Sequence, residues 1–186
     1  MKVDKNKFWA WAYADFLSNA ARGVLAEYIV AEALDCLPPQ RVEWDAYDLC
    51  TSTGLRIEVK SSAYLQTWNQ KKPSVIRFDV APKRGWYAET NQMVKSPERA
   101  ADMYVFCILE EGDRSRANPL MRNQWSFIVL ATDNLATNIG AQKSVGLGTL
   151  ARLGGRKVPW EQLREEVNRV SIAITVRHRN EPVGEG

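Results

Sequence analysis

Two acidic side chains and one lysine are close together in this sequence and suit the chemistry of a divalent metal ion. The segment LRIEVKSS, residues 55–62, alternates apolar and charged residues, as a strand with one packed and one polar face does. In such a strand Glu58 and Lys60 project from the same face, roughly 7 Å apart at their Cα atoms. Asp48 precedes them across a predicted hairpin. Two carboxylates and an ammonium group at one end of a sheet suit a metal ion and an attacking water.

Glu27 is a further acidic candidate, on a predicted helix. Residues around ARGVLAEYIVAEALDCL form a helix with Ser18 and Asn19 as possible caps, and the helix ends at Pro38 and Pro39. The neighbours of Glu27 on its helical face are apolar or small, so its carboxylate needs a partner. That partner is either an arginine, such as Arg22 or Arg56, or the predicted metal site.

The remaining elements predict an α/β protein. Strands are expected over Arg41–Trp44, Leu55–Ser61, Ser74–Val80, Asp102–Glu110 and Gln124–Ala131, and the fourth of these is buried on both faces. A long polar segment, 81–101, suggests a functional or mobile connection. Aromatic residues near the N-terminus predict a short helix packed on the body, and Pro159 opens a helix whose buried stripe comprises Leu163, Val167 and Val170.

Composition narrows the classes of function. A chain of 186 residues fits one soluble domain. Its net charge of +3 permits nucleic-acid binding without requiring it. Three scattered cysteines favour a reducing cytoplasmic compartment over a disulfide framework or a zinc cluster. No segment is long and apolar enough to span a membrane. The single histidine, His178, is expected in a solvated tail, which excludes mechanisms that need several histidines.

The order of these motifs resembles the PD-(D/E)xK nuclease superfamily. The residues that carry the resemblance are RGVLAEYIVAEAL, then WDAYDL, then RIEVKSSAYLQ, and then ADMYVFCIL. The resemblance implies a restriction-endonuclease-like fold, with a mixed central β-sheet flanked by α-helices. It also implies one nuclease-like domain over residues 1–178, followed by a flexible tail over 179–186.

The resemblance assigns roles to particular residues. Glu58 and Lys60 match the family's acid-x-Lys motif, Asp48 matches its upstream aspartate, and Glu27 matches the helix acid of resolvase-like members. Asp45 rivals Asp48, because the family's Pro-Asp pair is missing here. Mg²⁺, with Mn²⁺ as a substitute, would be held by Asp48 and Glu58, with the Val59 carbonyl as a further ligand and Glu27 bound through water or to a second metal. Lys60 would orient or help deprotonate the attacking water.

The expected function is that of a metal-dependent endonuclease that hydrolyses DNA in defence, repair or recombination. The alternative is an inactive nucleic-acid-binding or assembly module of the same fold. Basic residues and tryptophans in predicted loops suit phosphate contacts and base stacking, and the candidate DNA clamp comprises Lys83, Arg84 and Trp86. Gln66 is a candidate phosphate contact or, alternatively, an exposed polar residue. By analogy a homodimer is expected.

Overall fold

The computed structural model describes residues 1–43, 45–87, 90–93 and 95–180, with side chains described as far as residue 175. The helices are α1 Lys5–Ala12, α2 Asn19–Leu34, α3 Thr132–Ile139, α4 Leu147–Arg152 and α5 Trp160–Asn180. The strands are β1 Leu49–Cys50, β2 Arg56–Ala63, β3 Arg77–Asp79, β4 Trp86–Tyr87, β5 Gln92–Met93, β6 Met103–Leu109, β7 Trp125–Ala131, β8 Ser144–Gly146 and β9 Lys157–Val158.

The central sheet is mixed and has five strands in the order β1-β2-β6-β7-β9. Strand β2 runs parallel to β6, and the other neighbouring pairs are antiparallel. The predicted α/β fold with a mixed central sheet flanked by helices is therefore confirmed. Strand β6 is buried along its whole length, as its continuous apolar sequence predicts.

The two faces of the central sheet are covered differently. On one face Ile57 and Val59 belong to a core that includes buried residues of α2 and α5. On the other face Tyr104 and Phe106 pack with residues of β3, β8, α3 and α4. The parallel register pairs Glu58 with Tyr104 and Lys60 with Phe106, so the charged residues of β2 lie on this second face. The face opposite α2 therefore carries the candidate chemistry.

The cap residues explain why α2 has these limits. The Ser18 hydroxyl accepts a hydrogen bond from the backbone N–H of Ala21, as predicted for an N-cap. Asp35 closes the helix in the left-handed conformation, with φ of 56°. The helix therefore ends before Pro38 and is slightly shorter than predicted.

Two predictions about individual elements are wrong, and a third needs shorter bounds. Residues 41–43 form no strand, and Trp44 lies outside the described residues. The strand predicted over Ser74–Val80 forms as β3, with fewer residues, and pairs with β8 in a separate two-stranded sheet. Helix α1 forms with Asp4 as its N-cap, yet none of its residues is buried, and Trp11 is 79% exposed. The aromatic sequence predicted packing because burial is the usual fate of such side chains.

The C-terminal helix is longer than the sequence suggested. Helix α5 continues to Asn180 and therefore includes the backbone of His178 and the first two residues of the predicted tail. The His178 side chain and residues 181–186 lie outside the described part of the structure. The predicted stripe of Leu163, Val167 and Val170 is buried against the central sheet. Among the described residues, no helix has the length and apolar character needed to cross a membrane.

Candidate active site

A short hairpin places Asp48 beside the central strand. Strand β1 pairs with β2 so that Leu49 is opposite Ile57, and Gly54 occupies the turn with φ of 82°. The backbone N–H of Asp48 donates to the Ile57 carbonyl over 3.0 Å, which extends the ladder past the end of β1. The Asp48 Oδ2 then accepts a 2.6 Å hydrogen bond from the Val59 N–H. The hairpin thus fixes the aspartate directly against the Glu58–Lys60 segment.

Glu58 and Lys60 form an ion pair on the polar face of β2. The Lys60 Nζ donates to the Glu58 Oε1, and the two side chains are only 17% and 16% exposed, respectively. Burial lowers the pKa of Lys60, but the Glu58 and Asp48 carboxylates outweigh burial and raise the pKa above its usual value. Lys60 is therefore a protonated donor at neutral pH.

Asp48 has the most perturbed carboxylate of the site. Burial, followed by the nearby charge of Glu58, raises the pKa of Asp48 to about 7. The Lys60 charge and the hydrogen bond from Val59 oppose that rise without cancelling it. Two carboxylates that share one lysine are thus short of positive charge, and a bound cation would relieve their repulsion.

The backbone of Val59 adds an oxygen at the same place. Its N–H points toward Asp48, because the hydrogen bond joins these two residues. In an extended strand the N–H and C=O of one residue point to the same side. The Val59 carbonyl therefore lies on the β1 side of β2, next to Asp48 and beyond the end of β1. The use of this carbonyl as a metal ligand stays a prediction.

Glu27 is held by an arginine that the sequence did not suggest. Arg41 donates from Nε and Nη2 to the Glu27 carboxylate over 2.5 and 2.9 Å, respectively. The predicted partners are bound elsewhere. Arg22 donates to Leu17 and Asn19, and Arg56 pairs with Asp102. Helix α2 packs on the sheet face opposite Glu58 and Lys60, so Glu27 approaches Asp48 only around the β1 edge. Its charge still contributes to the raised pKa of Asp48.

The rival aspartate, Asp45, lines the same cleft but has a different setting. Its Oδ1 accepts a hydrogen bond from the Ala46 N–H over 2.8 Å, and its backbone bridges Trp86. Asp48, in contrast, is bonded to the strand that carries Glu58 and Lys60. This geometry favours Asp48 as the aspartate that acts with the acid-x-Lys pair.

A cleft of about 280 Å³ opens over these residues. Its walls include Asp48, Glu58 and Lys60 together with Lys83 and Arg84, two of the predicted clamp residues. The backbones of Lys83 and Glu98 exchange hydrogen bonds of 2.9 and 3.0 Å, which closes the base of the 83–98 segment. Lys83 and Arg84 thus add positive charge to a cleft that acidic residues also line, and the Lys83 Nζ lies 3.8 Å from Asp79.

The other two predicted substrate contacts lie elsewhere. Trp86 begins β4, and its indole N–H donates to Asn91 rather than lining the cleft. Gln66 is buried, and its side-chain amide donates to the Ala63 carbonyl over 3.0 Å. Gln66 is therefore not the exposed polar residue that was considered as its alternative. The substrate roles of both residues stay predictions.

Tyr104 is a cleft residue that sequence reasoning missed. It lies opposite Glu58 on β6, and the residue is only 4% exposed, yet it lines the cleft. Burial and the Glu58 charge raise the pKa of Tyr104 to about 12, so its hydroxyl stays protonated at neutral pH. Within the described residues its hydroxyl makes no hydrogen bond. The tyrosine sits within an apolar run, and only the pairing of β2 with β6 brings it to the site.

The donor set fits a lightly coordinated, hard metal ion. In the described part of the chain, no three His, Cys, Asp or Glu side chains converge closely enough to hold a metal by themselves. Asp48 and Glu58 supply two carboxylates, and Val59 supplies a carbonyl. Such an oxygen-only set with few protein ligands suits Mg²⁺, which keeps several of its waters. The arrangement does not suit zinc, which prefers nitrogen and sulfur ligands.

Comparison with known proteins gives one family. No curated protein matches the sequence. The model of the family described as bacteriophage T4 endonuclease IV matches residues 11–147, a range that includes Glu27, Asp48, Glu58, Lys60 and Tyr104. The match covers most of the chain and the whole cleft floor. The chain therefore belongs to the bacteriophage T4 endonuclease IV family of nucleases.

Proposed function

We propose that this protein is a metal-dependent DNA endonuclease of the PD-(D/E)xK type, with Asp48, Glu58 and Lys60 at its centre. The observation that carries the proposal is the hydrogen bond from Val59 to Asp48, because it fixes the upstream aspartate beside the acid-x-Lys pair. The family match supports endonuclease activity on DNA. Asp48 and Glu58 are ten residues apart in the sequence and are brought together by the β1–β2 hairpin. This arrangement supports the superfamily assignment.

Asp48, Glu58 and the Val59 carbonyl are the proposed ligands of Mg²⁺ or Mn²⁺. When bound, the metal would neutralise phosphate charge and make a water more acidic. Glu27 remains a proposed outer ligand, and its bonds to Arg41 hold it at the edge of the site. The charge deficit that raises the pKa of Asp48 supports cation binding at this place.

Lys60 acts as a hydrogen-bond donor in this proposal. Since its pKa is raised, it keeps its proton at neutral pH, and orientation of the attacking water is favoured over deprotonation of that water. Its positive charge also balances the charge that develops on the phosphate. Lys83 and Arg84 contact the DNA backbone at the wall of the cleft.

Tyr104 supplies a neutral donor at the floor of the same cleft. Its hydroxyl stays protonated because its pKa is near 12. We place it against a non-bridging oxygen of the scissile phosphate, where a hydrogen bond strengthens as negative charge builds up. The arrangement thus offers charge balance from Lys60 and a directed hydrogen bond from Tyr104.

The test is cleavage of a DNA panel by the wild-type protein and by variants. Duplex, nicked, single-stranded and four-way-junction DNA are incubated with Mg²⁺, with Mn²⁺, or with EDTA. We expect cutting that depends on the metal and is lost in Lys60→Ala and Glu58→Ala. Binding without cutting would instead support the inactive binding module, and neither binding nor cutting would overturn the proposal. The homodimer, the cytoplasmic location and the biological setting stay predictions.

A further inference from the structure

A second pocket lies on the other side of Asp48 from the cleft. It has a volume of about 290 Å³ and lies between α2 and the segment 37–41. Asp48 lines both spaces, and Glu27 lines the second. The pocket and the cleft therefore adjoin at Asp48.

The walls of this second pocket are mainly apolar. Its small and apolar lining residues are Val24, Ala31, Leu37, Pro38, Pro39 and Leu49. Tyr28 also lines it and is 46% exposed, although it belongs to a helix whose other face is buried. An exposed aromatic ring beside apolar walls is a surface on which a flat heterocycle stacks.

Arg41 combines this apolar surface with positive charge. Arg41 lines the pocket together with Asp48 and Glu27. Its Nε and Nη2 bind Glu27, while its Nη1 has no hydrogen-bond partner among the described residues. An arginine with a remaining donor at the edge of an apolar pocket suits a nucleotide phosphate.

We propose that this pocket binds one base of the DNA strand that is cut, next to the scissile phosphate. The base would stack on Tyr28 between the apolar walls, and Arg41 would contact the adjoining phosphate. The proposal rests on the proposed endonuclease function and names a substrate contact of the same site. A base is favoured over a protein segment because Asp48, a proposed metal ligand that a cut strand must approach, lines both this pocket and the cleft.

An abasic scan of the substrate tests the pocket. Each of the three nucleotides on either side of the mapped cut is replaced in turn by an abasic analogue. For the wild type, we expect one position at which loss of the base lowers kcat/KM about tenfold, the typical effect of one base stack. Tyr28→Ala should lower kcat/KM for the intact substrate by a similar factor and should be insensitive to the abasic replacement at that position.

Two matched variants separate stacking from other effects. Tyr28→Phe keeps the ring and should retain wild-type sensitivity to the abasic position, whereas Leu37→Trp fills the pocket and should behave like Tyr28→Ala. If no position is sensitive, or if Tyr28→Ala keeps the same sensitivity, the pocket does not bind a base. That result would leave metal-dependent cutting by the wild type intact, so the proposed function would stand.

A binding assay gives a readout that does not need cleavage. Oligonucleotides with 2-aminopurine at the sensitive position, or at each candidate position if nothing is cut, are titrated into the Lys60→Ala variant. Stacking on Tyr28 should quench the fluorescence, and the quenching should disappear when Tyr28→Ala is added to this background. Binding with unchanged fluorescence at every position would overturn the base pocket. If this variant binds none of the oligonucleotides, the base pocket fails, and metal-dependent cutting of the DNA panel by the wild type decides the endonuclease proposal separately.

Discussion

Two carboxylates in this molecule, the half-buried Asp48 and the buried Glu166, have opposite electrostatic settings. Asp48 lies beside Glu58, and burial together with that like charge raises its pKa to about 7. Glu166 on α5 is only 4% exposed, but Arg169 donates to it over 2.6 and 2.9 Å, and Arg156 lies 3.8 Å away. Hydrogen bonding to Arg169 therefore lowers the pKa of Glu166.

The difference shows that burial alone does not identify a functional acid. Glu166 has two arginines, Arg169 and Arg156, within reach, and we call these three residues the α5 cluster. Because its negative charge is balanced, the cluster can stabilise the fold without any ligand. Asp48 and Glu58 share Lys60 and are left short of positive charge. A group kept in an unfavourable protonation setting inside a cleft is typical of a functional site. The comparison therefore supports the proposed catalytic role of Asp48 and a structural role for Glu166.

The largest expected effect is on cleavage. Asp48→Asn, Glu58→Gln and Lys60→Ala should each lower kcat by about 100-fold or more, because each removes a charge from the reaction centre. Glu166→Gln should keep its rate within about twofold at a temperature where it is folded. The measurement is single-turnover cleavage at saturating metal. Equal losses in Glu166→Gln would break the distinction between the two carboxylates.

The second effect is on stability and has the reverse pattern. Glu166→Gln should lower the free energy of unfolding by about 2 kcal/mol, since it weakens a buried charge pair and its hydrogen bonds. Glu165→Gln, an exposed neighbour on the same helix, is the matched control and should change stability by less than about 0.5 kcal/mol. Urea unfolding followed by circular dichroism measures both. Equal values for the two variants would contradict a structural role for the α5 cluster.

The third prediction concerns pH, and its sign differs between the two carboxylates. The folded-state pKa of Asp48 is raised, so folding binds a proton and stability falls as pH rises from about 4 to 7. Asp48→Asn should remove this fall and be more stable than the wild type at pH 8, on the order of 2 kcal/mol. The pKa of Glu166 is lowered in the folded protein. Its contribution to the free energy of unfolding is therefore present above its unfolded-state pKa and is lost as pH falls through the folded-state pKa.

Urea midpoints from pH 3 to pH 8, without metal, measure these slopes. The stability difference between wild type and Glu166→Gln should shrink at the acid end of that range. The difference between wild type and Asp48→Asn should grow at the alkaline end. Parallel curves for Asp48→Asn and the wild type would show that the pKa of Asp48 is not raised in the folded protein.

The smallest effect tests the neutral donor in the cleft. Tyr104→Phe should lower kcat about tenfold and leave KM and stability nearly unchanged, because it removes one hydroxyl that has no hydrogen-bond partner in the described protein. Steady-state kinetics separates kcat from KM. A change confined to KM would place the hydroxyl in DNA binding, and a loss of stability would make its role structural.

The sequence was sufficient for the elements with strong local patterns. Alternation over residues 55–62 predicted β2, and the continuous apolar run predicted β6, since burial on one or both faces leaves a direct record in residue type. The predictions of a strand over 41–44 and of a packed α1 were wrong for the described residues. Apolar and aromatic residues are buried only where a partner surface is present.

The sequence by itself determined the candidate chemistry of Asp48, Glu58 and Lys60, because strand periodicity and one short hairpin bring them together through local geometry. Only the tertiary structure decided that Arg41 holds Glu27, that Tyr104 lies in the cleft floor, and that Gln66 is buried. These depend on the parallel pairing of β2 with β6 and on which sheet face α2 covers. Contacts between elements far apart in the chain are chosen by packing and strand order, which no local pattern of residues records.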